Sequence, residues 1–193
     1  QGTLTNHAGR VQRVVPAVEP AFEAFSEGEV LHRLGAAMGL PGFEGTDRQE
    51  NIYLDTRDLR LALSRAMLRI RRASGRPAFL TLKRGTEVEA GYFRSTEIES
   101  EIPPGWVQGI LDVPGSLFGL DLPPVQEVRR LFGEPDLRII GRLDNERSRF
   151  HGGGLTIEVD RMTFPDGSQE FEVEVETGDP GAARAWLLGE FLR

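Results

Sequence analysis

Hydrophobic and charged residues alternate along three stretches of the chain. In residues 170–176 glutamates hold the even positions, and Phe or Val the odd ones. Leu68–Arg71 and Leu80–Lys83 alternate in the same way with basic groups. Because successive side chains of a strand point to opposite faces of a sheet, each stretch predicts a strand with one apolar and one charged face. Glu170 and Glu176 lie near the strand ends, where we expect them to be solvated.

Alternation and turn-forming residues predict further strands. The predicted strands are residues 14–25, 50–54, 67–73, 78–84, 92–102, 137–145, 147–150, 155–164 and 169–176. Helices are predicted from Ser26, near 106–111 and 124–132, and from Asp179, on capping residues and helical spacing. About eight antiparallel strands avoid open edges by closing into a barrel with room for one ligand. The predicted class is α+β: an eight-stranded antiparallel closed β-barrel with flanking helices.

The length, net charge and cysteine content of the chain exclude several classes of protein. The 193 residues fit one domain, 13–193, after a loose lead-in at residues 1–12. A net charge of -7 argues against a general nucleic-acid or membrane-surface binder, although a local basic pocket is still allowed. The absence of cysteine excludes disulfides and zinc–thiolate sites. The charge predicts no nucleic-acid or membrane partner. We expect a soluble intracellular protein, cytoplasmic or organellar, and the composition leaves the compartment and the oligomeric state open.

Basic residues on the charged strand faces are candidates for anion binding. Arg69, Arg71 and Lys83 share such faces, and Arg147 is a further basic candidate. Guanidinium pairs bind polyphosphate oxygens in a fork geometry. The alternative is a solvated outer face, which is the usual arrangement for charged strand positions.

Acidic residues on other strands are candidates for metal binding. Glu172 and Glu174 lie on one face of their strand, and Asp160 has the same parity as Glu158 on the strand before. Hard divalent cations such as Mg²⁺ or Mn²⁺ take carboxylate oxygens together with substrate phosphates. The alternative is an exposed edge strand or an ordinary surface ion pair.

Six segments in this order resemble the CYTH superfamily, the triphosphate tunnel metalloenzymes. They are Gln49–Thr56, Leu68–Arg71, Leu80–Lys83, Arg138–Arg147, Leu155–Asp160 and Phe171–Glu176. The resemblance covers roughly residues 14–192. Each segment alone is a weak signal, and their shared order is specific. The chain is most similar to the plant and algal tripolyphosphatases, and vertebrate thiamine triphosphatases look more distant.

The resemblance implies a tunnel in which basic residues bind a linear triphosphate and acidic residues hold one or two Mg²⁺ or Mn²⁺ ions. The implied substrate-binding residues are Arg69, Arg71, Lys83, Arg94 and Arg147. The implied metal ligands are Glu19, Asp160, Glu172 and Glu174. The implied catalytic residues are Glu19, Arg69, Arg71, Lys83 and Arg147.

The first strand departs from the Glu-x-Glu-x-Lys pattern of that family. The best alignment, Ala17–Phe22, keeps only the central Glu19. Ala17 stands where a carboxylate is expected, and Ala21 where a lysine is expected. Removing a charged group aimed at a transition state typically costs several kcal/mol. The alignment therefore predicts weakened metal binding and weakened hydrolysis.

The activity implied by the resemblance is metal-dependent hydrolysis of a triphosphate. Its substrate would be inorganic tripolyphosphate, a nucleoside triphosphate or thiamine triphosphate. Two alternatives stay open at this point, since a fold does not determine a function. One is a non-catalytic tunnel that binds polyphosphate or a nucleotide, and the other is an adenylate cyclase.

Overall fold

The protein is described from a computed structural model, over residues 3–5, 11–13, 43–89, 92–152, 154–179 and 181–185. Its strands are β1 Thr3–Thr5, β2 Val11–Arg13, β3 Phe43–Thr56, β4 Ala66–Ala73, β5 Phe79–Glu89, β6 Tyr92–Glu101, β7 Leu137–Gly152, β8 Leu155–Thr163 and β9 Gln169–Glu176. Its helices are α1 Arg60–Leu63, α2 Trp106–Asp112 and α3 Pro123–Phe132, with a 3-10 helix at Pro114–Gly119. Residues 181–185 are also helical.

Strands β3 to β9 form a seven-stranded sheet in the order β6-β5-β4-β3-β7-β8-β9, and β1 pairs with β2 in a separate small sheet. Pairing is antiparallel in β1–β2, β3–β4, β4–β5, β5–β6 and β8–β9. The α+β class is thereby confirmed. Barrel closure and an eighth strand stay predictions, and the strand and helix predicted between residues 14 and 39 lie outside the described residues. Within the described part, no helix is both long and apolar enough to cross a membrane.

The chain divides into two compact units, which we name by their position in the sequence. The central unit is Gln49–Asp144, and the terminal unit combines Gln1–Arg48 with Asn145–Arg193.

The core of the central unit lies between the sheet and its helices. Strands β4 and β5 contribute fully buried apolar residues, and the helical segments cover them with others. These are Leu68, Ile70, Leu80 and Leu82 from the strands, and Ile110, Leu117, Val125 and Val128 from the helical segments. Helix α3 begins at Pro123, where a missing N–H costs nothing, and ends before Gly133, whose φ of 74° suits glycine.

A buried carboxylate fixes the connection after β3. Asp55 is 2% exposed, and its Oδ1 accepts hydrogen bonds from the backbone N–H groups of Thr56 (2.7 Å) and Leu61 (2.9 Å). Its Oδ2 accepts from the N–H of Ala62 at 3.0 Å. The first N–H groups of a helix have no partner within it, so Asp55 supplies the acceptors that α1 needs.

The terminal unit buries Ile157 and Val159 of β8. The rings of Phe43 and Phe150 pack with their centroids 5.3 Å apart, and the hydroxyls of Thr46 and Ser148 hydrogen-bond at 2.9 Å. These contacts join the first half of β3 to the second half of β7.

Two sequence-based predictions need correction here. Residues 137–145 and 147–150 were predicted as separate strands but form the single strand β7, in which Glu146 pairs with Arg48 (2.9 Å) and Arg161. Asp144 and Asn145 are residue types that favour turns, but both lie within the strand here. The lead-in predicted to be loose contains β1 and the start of β2, which pair in the register Thr3↔Arg13.

We predict that Leu82→Ala lowers the free energy of unfolding by about 2–5 kcal/mol, because it removes a fully buried side chain and leaves a cavity. Leu63→Ala is the matched control, since Leu63 is 80% exposed and surface substitutions usually change stability by less than about 0.5 kcal/mol. Denaturant unfolding measures both, and similar losses would contradict the described core.

Candidate functional site

The central unit carries a charged sheet face opposite its apolar core. Its strand register places Tyr53 beside Arg69, Arg69 beside Thr81, and Thr81 beside Glu99. Lys83 lies beside Glu97 on the same face. Side chains one residue away in each strand belong to the core face, so the alternation predicted from sequence is confirmed for β4 and β5.

Arg71 is held in one orientation by its neighbours. Its Nη2 donates to both carboxylate oxygens of Glu99, at 3.1 and 2.9 Å. Glu99 in turn accepts a 2.6 Å hydrogen bond from the hydroxyl of Thr81, which is fully buried. The Arg71 Cζ also lies 6.0 Å from the ring centroid of Phe79. One edge of the guanidinium is therefore fixed, while Nε and Nη1 make no hydrogen bond within the described part of the chain.

Arg69 and Lys83 are less constrained. The Nε of Arg69 is buried and has no hydrogen-bond partner among the described residues. A buried donor without an acceptor is uncommon in proteins and calls for a ligand or an ordered water. Lys83 forms a 3.1 Å ion pair with Glu97, but both side chains are about a third exposed or more, so the pair adds little stability.

The terminal unit holds a buried ion cluster centred on Arg147. Its Nε and Nη2 donate to the two oxygens of Asp160 at 2.7 and 2.6 Å, and Nη2 also donates to Glu174 at 3.1 Å. Its Nη1 pairs with Glu158. All three guanidinium nitrogens therefore contact a carboxylate. Glu158 also accepts a 2.8 Å hydrogen bond from Nε of Arg149.

These carboxylates hold Arg147 in its charged form. Burial lowers the pKa of the Arg147 guanidinium, but the hydrogen bond to Asp160 and the charges of Asp160, Glu158 and Glu174 outweigh it, so the pKa is raised. Arg147 is thus the counter-cation that allows Glu158 and Asp160 to be buried at 6% and 3% exposure. An unpaired carboxylate at that depth would be strongly unfavourable.

The glutamates of strand β9 differ in their exposure to solvent. Glu174 lies beside Glu158, and Glu172 beside Asp160, in the β8–β9 register. Glu172 is exposed and the Glu174 side chain is 39% exposed, whereas Glu170 is buried at 5%. The prediction that Glu170 is solvated is therefore wrong. Within the described residues, no group of three acidic or histidine side chains is arranged to hold a metal ion.

The structure brings only some of the predicted site residues together. Arg69, Arg71 and Lys83 share a face in the central unit, and Arg147, Asp160 and Glu174 are in contact in the terminal unit. The backbone of Arg94 lies in β6 and its side chain is not described. Glu19, Ala17 and Ala21 lie outside the described residues.

Sequence reasoning assigned no role to Glu99, Thr81, Glu158 or Arg149. Strand parity alone puts Glu99 and Glu158 on charged faces, so a signal was available. Which base each acid contacts depends on the register between strands, and a single-strand pattern does not contain that register.

We predict that Arg147→Met lowers the free energy of unfolding by about 3–5 kcal/mol in metal-free buffer, because it leaves buried carboxylates without a counter-charge. Arg138→Met is the matched control: Arg138 pairs with Asp136 at 2.9 Å, and their side chains are 55% and 79% exposed. Exposed pairs contribute about 0–1 kcal/mol. Chemical denaturation measures both variants, and equal losses would show that the Arg147 cluster is not buried.

Comparisons with known proteins place this geometry in a family. Among solved structures, HpAC1 from Hippeastrum, a proposed adenylyl cyclase with a dominant triphosphatase activity, is similar at a TM-score of 0.74 and 27% identity over 84% of this chain and 80% of that one. A proposed adenylate cyclase from Bacillus halodurans is similar at a TM-score of 0.66 and 22% identity, over 87% of this chain and 86% of that one. The PH1012 protein from Pyrococcus horikoshii is similar at a TM-score of 0.51 and 18% identity, over 85% of this chain and 82% of that one.

A search of curated proteins found no match. The family model of the CYTH domain, however, matches residues 33–190. The resemblance noted from the sequence is thereby confirmed, and this chain belongs to the CYTH domain family.

Proposed function

We propose that this protein binds the linear triphosphate group of a small molecule and hydrolyses it with the help of a divalent cation. The observation that carries the proposal is the buried Nε of Arg69, which has no hydrogen-bond partner in the part of the chain that the structure describes and lies on the same face as Arg71 and Lys83. Phosphate oxygens are acceptors that complete such donors, and guanidinium groups bind them through charge-assisted hydrogen bonds. Membership of the CYTH domain family supports the same ligand class.

The basic residues have distinct parts in this proposal. Arg69 donates its buried Nε–H to a phosphate oxygen, and Arg71 offers the two nitrogens that Glu99 leaves unbound. Lys83 contributes a further positive charge, and Arg94 a further contact. Charge on the oxygens of the transferred phosphoryl group is neutralised by these cations, which is the main task of a protein in phosphoryl transfer. Arg147 we assign chiefly to charge balance, because its three nitrogens already contact carboxylates.

The metal is assigned to β9. Mg²⁺ is commonly bound by one or two carboxylates plus substrate phosphates and water, so the exposed Glu172 and the half-exposed Glu174 fit it chemically. Asp160 fits less well, since both its oxygens are bound by Arg147. Glu19 completes the predicted ligand set from outside the described residues. A bound Mg²⁺ or Mn²⁺ would neutralise negative charge on the phosphate oxygens.

Adenylate cyclase activity is the second candidate. Both the Hippeastrum and the Bacillus halodurans proteins are described as proposed adenylyl cyclases, and the former has a dominant triphosphatase activity. The two reactions share a triphosphate group and differ in the nucleophile, so product analysis separates them.

The test is phosphate release from tripolyphosphate, ATP and thiamine triphosphate, with cyclic AMP measured in parallel. We expect phosphate release with Mg²⁺ or Mn²⁺, its loss in EDTA, and no cyclic AMP. Formation of cyclic AMP without phosphate release would favour the cyclase, and tight binding with neither product would favour a non-catalytic binding protein.

We predict that Arg69→Ala and Arg71→Ala each lower kcat/KM for the best of these substrates by about 10- to 100-fold, since hydrogen bonds to charged groups contribute about 1.5–3 kcal/mol. Arg138→Ala, which removes an exposed arginine of β7, is the control and should leave kcat/KM unchanged. Full activity in both Arg69 and Arg71 variants would mean that this face is not the substrate site.

Restoring the Glu-x-Glu-x-Lys pattern tests the role of residues 17–22, in the strand predicted at residues 14–25. We expect Ala17→Glu combined with Ala21→Lys to raise the rate of tripolyphosphate hydrolysis and the affinity for Mn²⁺, because the pair adds a carboxylate ligand and a cation. Initial rates and calorimetric Mn²⁺ binding measure the effect. Unchanged values for both would mean that residues 17–22 are not the equivalent of the Glu-x-Glu-x-Lys segment.

A further inference from the structure

Asn51 is a buried polar residue that none of the functional assignments above uses. It lies in β3 directly opposite Arg71 in the antiparallel register, on the charged face of the central unit. Its exposure is 3%, and its Oδ1 is buried without a hydrogen-bond partner among the described residues. The Nε of Arg69 likewise has no hydrogen-bond partner among the described residues. Arg69 lies opposite Tyr53, which is two residues further along β3 than Asn51.

Two unsatisfied groups thus occur as diagonal neighbours on adjacent strands. Such neighbours have Cα atoms roughly 7–8 Å apart, a span that one group bound between their side chains can bridge. Burying an amide without a partner is unfavourable, and native proteins rarely retain one without a ligand or an ordered water. The same face carries Arg71, whose Nε and Nη1 are left open by Glu99. The three side chains are therefore close neighbours on one face of the sheet, and each has hydrogen-bonding atoms that no described residue satisfies.

The side-chain amide of Asn51 offers a hydrogen-bonding atom in either orientation. As placed, its Oδ1 is an acceptor and could be satisfied by a water molecule that in turn accepts from Arg69 Nε. Rotated by half a turn about its last torsion angle, the amide presents Nδ2–H donors, and the two amide orientations differ little in shape. With the amide rotated, Asn51, Arg69 and Arg71 all donate, and an acceptor-only anion such as a phosphate group satisfies them together.

We propose that Asn51 is a further substrate-binding residue, whose side-chain amide donates to the phosphate group bound by Arg69 and Arg71. The inference rests on the proposed function and adds an uncharged hydrogen-bond donor to the proposed site. The pattern of charged residues in the sequence does not identify this donor. Because an amide donates without adding charge, Asn51 fixes the orientation of a phosphate group and leaves the charge balance of the face unchanged.

The test is calorimetric titration of inorganic tripolyphosphate into the full chain and its variants. Asn51→Leu removes the donor at similar size and is expected to weaken binding by about tenfold or more. Asn51→Asp keeps the shape but replaces the donor with an anion, and it should weaken binding further. Ser116→Ala is the matched control: the Ser116 hydroxyl is also buried and has no partner among the described residues, but it lies in the 3-10 helix. It should bind as the wild type does.

A second measurement avoids any dependence on how the variants fold. In the wild-type protein, the Asn51 side-chain NH₂ resonances should shift on adding tripolyphosphate, and the shift should saturate with the calorimetric affinity. Affinity within twofold of wild type for folded Asn51→Leu, or NH₂ signals that do not move, would overturn the role of Asn51. In that case binding that still depends on Arg71 would leave the proposed function intact, whereas absence of wild-type binding would overturn both.

Discussion

A charged side chain on a half-buried sheet face needs an opposite charge or a ligand. This requirement determines how the charged residues of the described strands are arranged. Side chains alternate strictly between faces, so the apolar core of β4 and β5 forces Arg69, Arg71 and Lys83 onto the other face. In β7, β8 and β9 the same alternation puts Arg147 together with three carboxylates. Charge pairing across strands makes both faces compatible with folding.

The arginines differ in how many of their hydrogen-bond donors already have partners, and this difference distinguishes a structural from a functional role. Arg147 contacts carboxylates through all three nitrogens, so its charge is already balanced within its own cluster. Arg71 is fixed on one side only, by Glu99 and Thr81, and Arg69 has a buried donor with no partner in the described residues. A site that is oriented by its neighbours but incompletely satisfied is preorganised for a ligand. The unsatisfied face, rather than the most charged cluster, is therefore where we locate phosphate binding.

Much of this was predictable from single strands. The two-residue period located β4, β5, β8 and β9 and the parity of Arg69, Arg71 and Asp160. It did not reveal that residues 137–152 form one continuous strand, nor that Glu170 is buried, because both depend on neighbouring strands. The roles of Glu99 and Glu158 as partners depend likewise on register, which local sequence leaves undetermined. The same holds for Asn51, whose Oδ1 has no partner among the residues that the structure describes. The role of residues 17–22 rests on the family pattern alone.

The most direct test of the central claim, that an incompletely paired basic face binds a polyanion, is the stoichiometry and salt dependence of tripolyphosphate binding to the wild-type protein. Titration calorimetry at two ionic strengths should show one tripolyphosphate per chain, with affinity that falls as salt rises, since charge attraction is screened. Saturable binding at that ratio agrees with the account. Absence of binding at low salt, with or without Mn²⁺, would contradict it.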